Sequence, residues 1–138
     1  MIQTKIGHIQ FNVDSQNLPF CKELFTFTGW AILADDATML GVGHDVFNSL
    51  WFIGGANEAH NDYDGPGMNH LGLLVESQGE VDQMTAYLRE RDVAALFETP
   101  RHRPEFSMDA EHTYYQVMFE SPDRILFEIV YTGPKDSE

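Results

Sequence analysis

The sequence predicts an α+β fold made of two tandem strand–helix–strand–strand–strand modules, related by a pseudo-twofold and forming a cleft between curved mixed sheets. Three observations predict it. A short motif recurs 62 residues along, from His8 to His70. Each copy alternates as a half-buried strand should, and each is followed by the same succession of elements.

The first copy reads Gly7-His8-Ile9-Gln10-Phe11-Asn12-Val13-Asp14-Ser15, and the second Asn69-His70-Leu71-Gly72-Leu73-Leu74-Val75-Glu76-Ser77. Both follow histidine, aliphatic, any residue, apolar, any residue, valine, acid, serine. Side chains alternate across a strand. Ile9, Phe11 and Val13 therefore share one face, and His8, Gln10 and Asn12 the other. Leu71, Leu73 and Val75 repeat the apolar face, so the two histidines occupy equivalent faces of equivalent strands.

A helix follows each strand. After the first copy, Asp14 or Ser15 is placed to cap, Leu18, Cys21, Leu24 and Phe25 recur at helical spacing, and Pro19 falls in the first turn, where its missing N–H costs least. After the second, Ser77-Gln78-Gly79-Glu80 has the form of a capping box. Val81, Met84 and Leu88 then make a core stripe, and Arg89 and Arg91 suit the negative end of the helix dipole. Three strands are expected after each helix: 30–33, 38–42 and 49–53, then 94–98, 113–119 and 124–131. Segments 54–67 and 99–112 read as long loops beside the cleft, and 134–138 as a disordered tail.

One module alone is too short to be comfortably stable, but a 138-residue chain is the size of one domain. We expect residues 1–138 to form one, with modules at about 4–55 and 67–132. The chain carries 22 acids against 8 bases, a net charge of −14. Such a surface repels nucleic acid. There is no run of about 18 apolar residues, so no membrane span is expected. The single cysteine, Cys21, allows no internal disulfide and reads as a small core residue; a reducing, cytoplasmic setting fits.

Glu128 lies in the apolar strand Arg124-Ile125-Leu126-Phe127-Glu128-Ile129-Val130-Tyr131, on the face shared by Leu126 and Val130. A carboxylate in such surroundings needs a partner, and a metal ion is a natural one. His8, His70 and Glu128 form a three-ligand set with coordination positions left open for water or substrate. One strand histidine alone would say little; two at repeat-equivalent positions, with a carboxylate on a third strand, point to a divalent ion. Gln10 beside His8, and Tyr114 and Gln116 on the adjoining strand, are candidate substrate contacts, as is His102 in Arg101-His102-Arg103-Pro104. Gly-rich phosphate loops, a Gly-x-Ser-x-Gly elbow and the HExxH and CxxC patterns are missing from the sequence.

These residues resemble the vicinal oxygen chelate superfamily, which holds glyoxalase I, extradiol dioxygenases, fosfomycin-resistance enzymes and bleomycin-binding proteins. The resemblance covers about residues 4–132. Gly7-His8-Ile9 and Asn69-His70-Leu71 look like its ligand histidines. The stretch from Tyr114 to Glu128 looks like its closing hairpin, an aromatic-rich strand, a tight turn and a strand carrying the ligand glutamate. In that turn Ser121-Pro122-Asp123-Arg124 stands where the family usually has Asp-Pro-Asp-Gly. The strand at 49–53 lacks the further ligand carboxylate of glyoxalase I, so that activity is not expected.

The resemblance implies a divalent-metal enzyme (Fe, Mn, Zn, Ni or Co) of lyase, isomerase or dioxygenase type, acting on a small oxygen-bearing substrate, with Glu128 at the catalytic centre. It also implies a homodimer, since relatives pair modules across chains and open sheet edges need cover. The alternative is a metal-free protein of the same fold that sequesters a small molecule or antibiotic.

Overall fold

The structure, a computed structural model, describes residues 1–44 and 48–136. The chain divides into two compact units, Met1–His60 and Asn61–Glu138.

In the first unit, β1 (His8–Asn12) leads through a 3-10 turn (Ser15–Asn17) into α1 (Leu18–Phe27), followed by β2 (Ala31–Asp35), β3 (Met39–Gly43) and β4 (Ser49–Ile53). The sheet order is β1-β4-β3-β2, with β1 and β4 parallel and the other neighbours antiparallel. Phe11, Phe25 and Phe52 are buried and in ring contact, at 5.1 and 5.4 Å to Phe52. Cys21 is fully buried in this core and forms no disulfide, as expected of a small core residue. Asp14 caps the 3-10 turn, accepting from the Gln16 N–H, rather than α1 itself. At the start of α1 Pro19 takes the expected first-turn place, after Asn17.

The second unit repeats this order. β5 (Leu71–Leu74) leads into α2 (Gln78–Glu90), then β6 (Leu96–His102), β7 (His112–Glu120) and β8 (Leu126–Pro134), in the sheet order β5-β8-β7-β6. The parallel pair is again the first and last strand of the module. The two mixed four-stranded sheets and two helices are the α+β architecture expected from the motif repeat. Ser77 caps α2, accepting from the Glu80 N–H, while the Glu80 carboxylate accepts from the Glu76 N–H, a variant of the expected box. Val117, Phe119, Phe127 and Ile129 form the sheet face under α2, which contributes Val81, Met84 and Leu88.

Two expectations need correction. Residues 99–102 are not loop: β6 runs on to His102, and Pro104–Phe106 forms a 3-10 turn. Pro100 is tolerated because β6 is irregular there, with register lost between Leu96 and Arg101 and positive φ at Phe97 and Glu98. The tail is ordered further than expected, since Pro134 closes β8 opposite His112; of the 134–138 segment, Ser137 and Glu138 lie outside the described residues. No helix among the described residues is long and apolar enough to cross a membrane.

Candidate metal and substrate site

Alternation along β7 and β8 gives the second sheet two unlike faces. Phe119 and Phe127 face α2. Tyr114, Gln116 and Met118 of β7 share the other face with Leu126, Glu128 and Val130 of β8. That face borders a cavity of about 630 Å³. Its apolar floor is Tyr63, Met118 and Leu126, packed together with Leu96. Tyr63 comes from the segment before β5, which is fastened to the β7–β8 hairpin: Asn61 donates to the Arg124 carbonyl, and the Tyr63 hydroxyl donates to Glu120.

Glu128 is 4% exposed. The partner its burial demands is supplied by side chains. The Tyr114 hydroxyl lies 2.9 and 3.0 Å from the two carboxylate oxygens, and the Gln116 amide donates to Oε2. Burial and the Glu128 carboxylate push the Tyr114 hydroxyl up to about 12, so it remains a protonated donor throughout the neutral range. The Gln116 side chain, 2% exposed, accepts from Arg103 Nη1 at 3.1 Å. Its orientation is thereby fixed at both ends, oxygen toward Arg103 and nitrogen toward Glu128.

His70 stands immediately before β5, with Nε2 3.7 Å from Glu128 Oε1. Asn69 Nδ2 donates to the Tyr63 carbonyl, which turns Asn69 Oδ1 toward the His70 ring, 2.7 Å from Nδ1. An amide oxygen only accepts, so Nδ1 carries a proton, and in the neutral ring Nε2 is then the nitrogen with the free lone pair. In that neutral tautomer an imidazole acceptor and a carboxylate face each other. Two donors bound to one ion at about 2.0–2.2 Å stand roughly 3–4 Å apart. An outer hydrogen bond that fixes the histidine tautomer is also what metal-binding histidines have. The chemistry and spacing of this pair therefore fit a divalent ion such as Mn, Fe, Zn, Ni or Co.

Within either unit, no three His, Cys, Asp or Glu side chains form a metal-holding group among the described residues. His70 and Glu128 are the pair the second unit brings together. Of the other expected residues, Tyr114 and Gln116 join this pair through the Glu128 carboxylate. His8 is exposed at the start of β1 in the first unit, and Gln10, also exposed, donates to Asn12. His102 is directed away from the Glu128 face: it pairs in register with Tyr115, stacks on that ring at 4.5 Å and bonds Thr113. It borders a second cavity, of about 620 Å³, with Asp109 and His112. The irregularity in β6 sets this placement.

The sequence reading gave no role to Asn69, Tyr63 or Phe106, and named Arg103 only as a neighbour of His102. The adjacency of Asn69 to His70 was the available signal for the first. The contacts of the others depend on how 61–69 and 103–106 fold back on the sheet.

No family model matches the chain. Among curated proteins it is similar to the uncharacterised protein YqjT of Bacillus subtilis, 41% identical over 64 residues, 46% of this chain and 46% of YqjT. The match thus spans about half the length of that relative. Among solved structures, a candidate glyoxalase from Bacillus halodurans superposes with TM-score 0.76 at 26% identity, covering 94% of this chain and 96% of that one. A glyoxalase/dioxygenase from Nostoc punctiforme gives 0.66 at 19%, covering 94% and 91%. The fosfomycin resistance protein FosX from Listeria monocytogenes, solved with Mn(II) and sulfate, gives 0.68 at 16%, covering 96% and 93%. The fold is that of the vicinal oxygen chelate superfamily, as the histidine repeat and closing hairpin implied.

Proposed function

We propose that the chain is a divalent-metal-dependent enzyme of this superfamily, of lyase, isomerase or dioxygenase type, acting on a small oxygen-bearing organic substrate. One observation carries the reading: His70 Nε2 faces the buried Glu128 carboxylate at 3.7 Å, with the other ring nitrogen committed to Asn69. His8, the motif counterpart of His70, is the proposed third ligand on sequence grounds. The Mn(II)-bound FosX structure supports the reading by shared fold.

A bound ion would supply Lewis acidity toward substrate oxygens. Around it, His70 and Glu128 would hold the ion, Asn69 the histidine tautomer, and Tyr114 and Gln116 the carboxylate. Tyr114 keeps its proton below about 12, so it serves as a hydrogen-bond donor rather than a base. The apolar floor of Tyr63, Met118 and Leu126 keeps water from the substrate.

The test is calorimetric titration of protein stripped with chelator, using Mn(II), Zn(II) and Ni(II). Binding by the parent, with large losses in His70→Ala and Glu128→Ala, is expected. Equal binding by all three proteins would defeat the reading. A specific observation favours the metal-free sequestering protein as the second reading: Tyr114 and Gln116 already satisfy the Glu128 carboxylate. Absence of metal binding by the parent would make it the better account.

A further inference from the structure

We infer that the cavity beside Glu128 selects an organic anion, with Arg103 receiving the oxyanion and the aromatic rim holding an apolar body. The inference rests on the reading of this cavity as the substrate site. Of the side chains around it, Arg103 is the cation, in a chain of net charge −14. It is held rather than free to swing. Its side chain is 23% exposed, its Nε engages Glu105, its Nη1 donates to the buried Gln116 amide, and its guanidinium lies 4.7 Å over the Phe106 ring. These contacts take up Nε, Nη1 and one face of a planar group with five donors. The Nη2 side remains for a ligand, and a guanidinium fixed in this way suits the oxygens of a carboxylate or phosphonate.

The walls say what the rest of the ligand is. Phe97 and Phe106 border the cavity at 50% and 58% exposure, unusual for phenylalanine, with Phe106 edge-on to Tyr114 at 5.4 Å. A volume of about 630 Å³ is ample for a one- or two-ring acid. Glu128 and Asp64, the acids at the cavity, oppose a second negative charge unless a cation offsets them. An anion and a metal ion are therefore compatible occupants.

The test reads anion selection separately from metal binding. In metal-free Glu128→Gln protein, which lacks the opposing carboxylate, 1-naphthoate and its neutral analogue 1-naphthamide are titrated by ligand fluorescence. Naphthoate should bind about tenfold tighter. Arg103→Gln added to that background should abolish the preference while naphthamide still binds, and Arg103→Lys should keep part of it. Circular dichroism checks that each variant is folded. Equal affinity for the two probes, a preference that survives Arg103→Gln, or binding of neither probe would overturn the inference. Failure of the parent to bind metal would leave this result standing, so the two readings fail separately.

Discussion

Gly72 stands opposite Glu128 in the β5–β8 ladder, and the carboxylate occupies the room that a side chain there would need: a Cβ on Gly72 would lie 3.1 Å from Oε1. Gly72→Ala should therefore displace the carboxylate by a few tenths of an ångström while the fold survives. We expect divalent-ion affinity to fall about tenfold, in the range seen when the supports of a ligand are disturbed. Calorimetry of the variant with an unchanged affinity would show that Glu128 does not depend on this space.

Asn69 holds the His70 tautomer through its amide oxygen. Asn69→Leu removes the acceptor and frees the ring to flip. Metal affinity should drop by about 10–100-fold, with little change in melting temperature because Asn69 is exposed. A variant that binds metal as the parent does would argue against the tautomer argument.

Gln116 is buried between Arg103 and Glu128. Gln116→Leu keeps the volume but removes a donor from a buried carboxylate and an acceptor from the guanidinium. Unfolding in urea should show a loss of about 2 kcal/mol. A smaller loss in the presence of saturating Mn(II) would fit an ion taking over the charge of Glu128.

Tyr115, on the opposite face, donates to Asp82 of α2 at 2.6 Å; burial and that carboxylate raise its hydroxyl to about 12, from 10.0. A group with a raised folded-state pKa contributes stability fully present below its unfolded value and lost as pH climbs through the folded one. Tyr115→Phe should be less stable than the parent at pH 8, and the gap should close between about 10 and about 12. Denaturation curves with a constant gap across that window would contradict the assignment.

The β7–β8 turn places Arg124 at φ 59, where the family usually has glycine. Ser121 secures the turn, accepting from the Arg124 N–H at its carbonyl and the Ile125 N–H at its hydroxyl, while the Arg124 side chain lies over Tyr63. The turn thus keeps its shape without glycine. Arg124→Ala and Arg124→Gly both lose the side chain, but only glycine is at ease with this backbone. The glycine variant should melt several degrees above the alanine variant; equal melting temperatures would remove the left-handed argument.

Much of this was legible in the chain because periodicity-two strands and a repeated motif are local signals. The Ser49–Ile53 strand has the bounds expected, and Tyr114 and Gln116 share one face of β7 as alternation requires, whereas the register with β8 that brings Glu128 to that face was not legible. Pro100 and Pro104 disguised the end of β6 as loop, and the irregularity at 97–98 sent His102 to the other face. Arg103 could not be assigned from sequence, since its role depends on a turn folding back over β7. The expectation for Glu128 was right about its face and incomplete about its partner: a buried carboxylate can be satisfied by a tyrosine and a glutamine as well as by an ion.

The two donors of the candidate site are held with very different firmness. Glu128 belongs to β8, laddered by β5 on one side and β7 on the other, whereas His70 lies just ahead of the first bonded residue of β5. Backbone amide exchange at Glu128 should require opening of the sheet, while that at His70 needs only local fraying. An arriving cation would then meet a stationary carboxylate first and be closed upon by the histidine second. Its residence time would be set by how often the segment ahead of β5 loosens, a rate that hydrogen exchange at Asn69 and His70 can read directly.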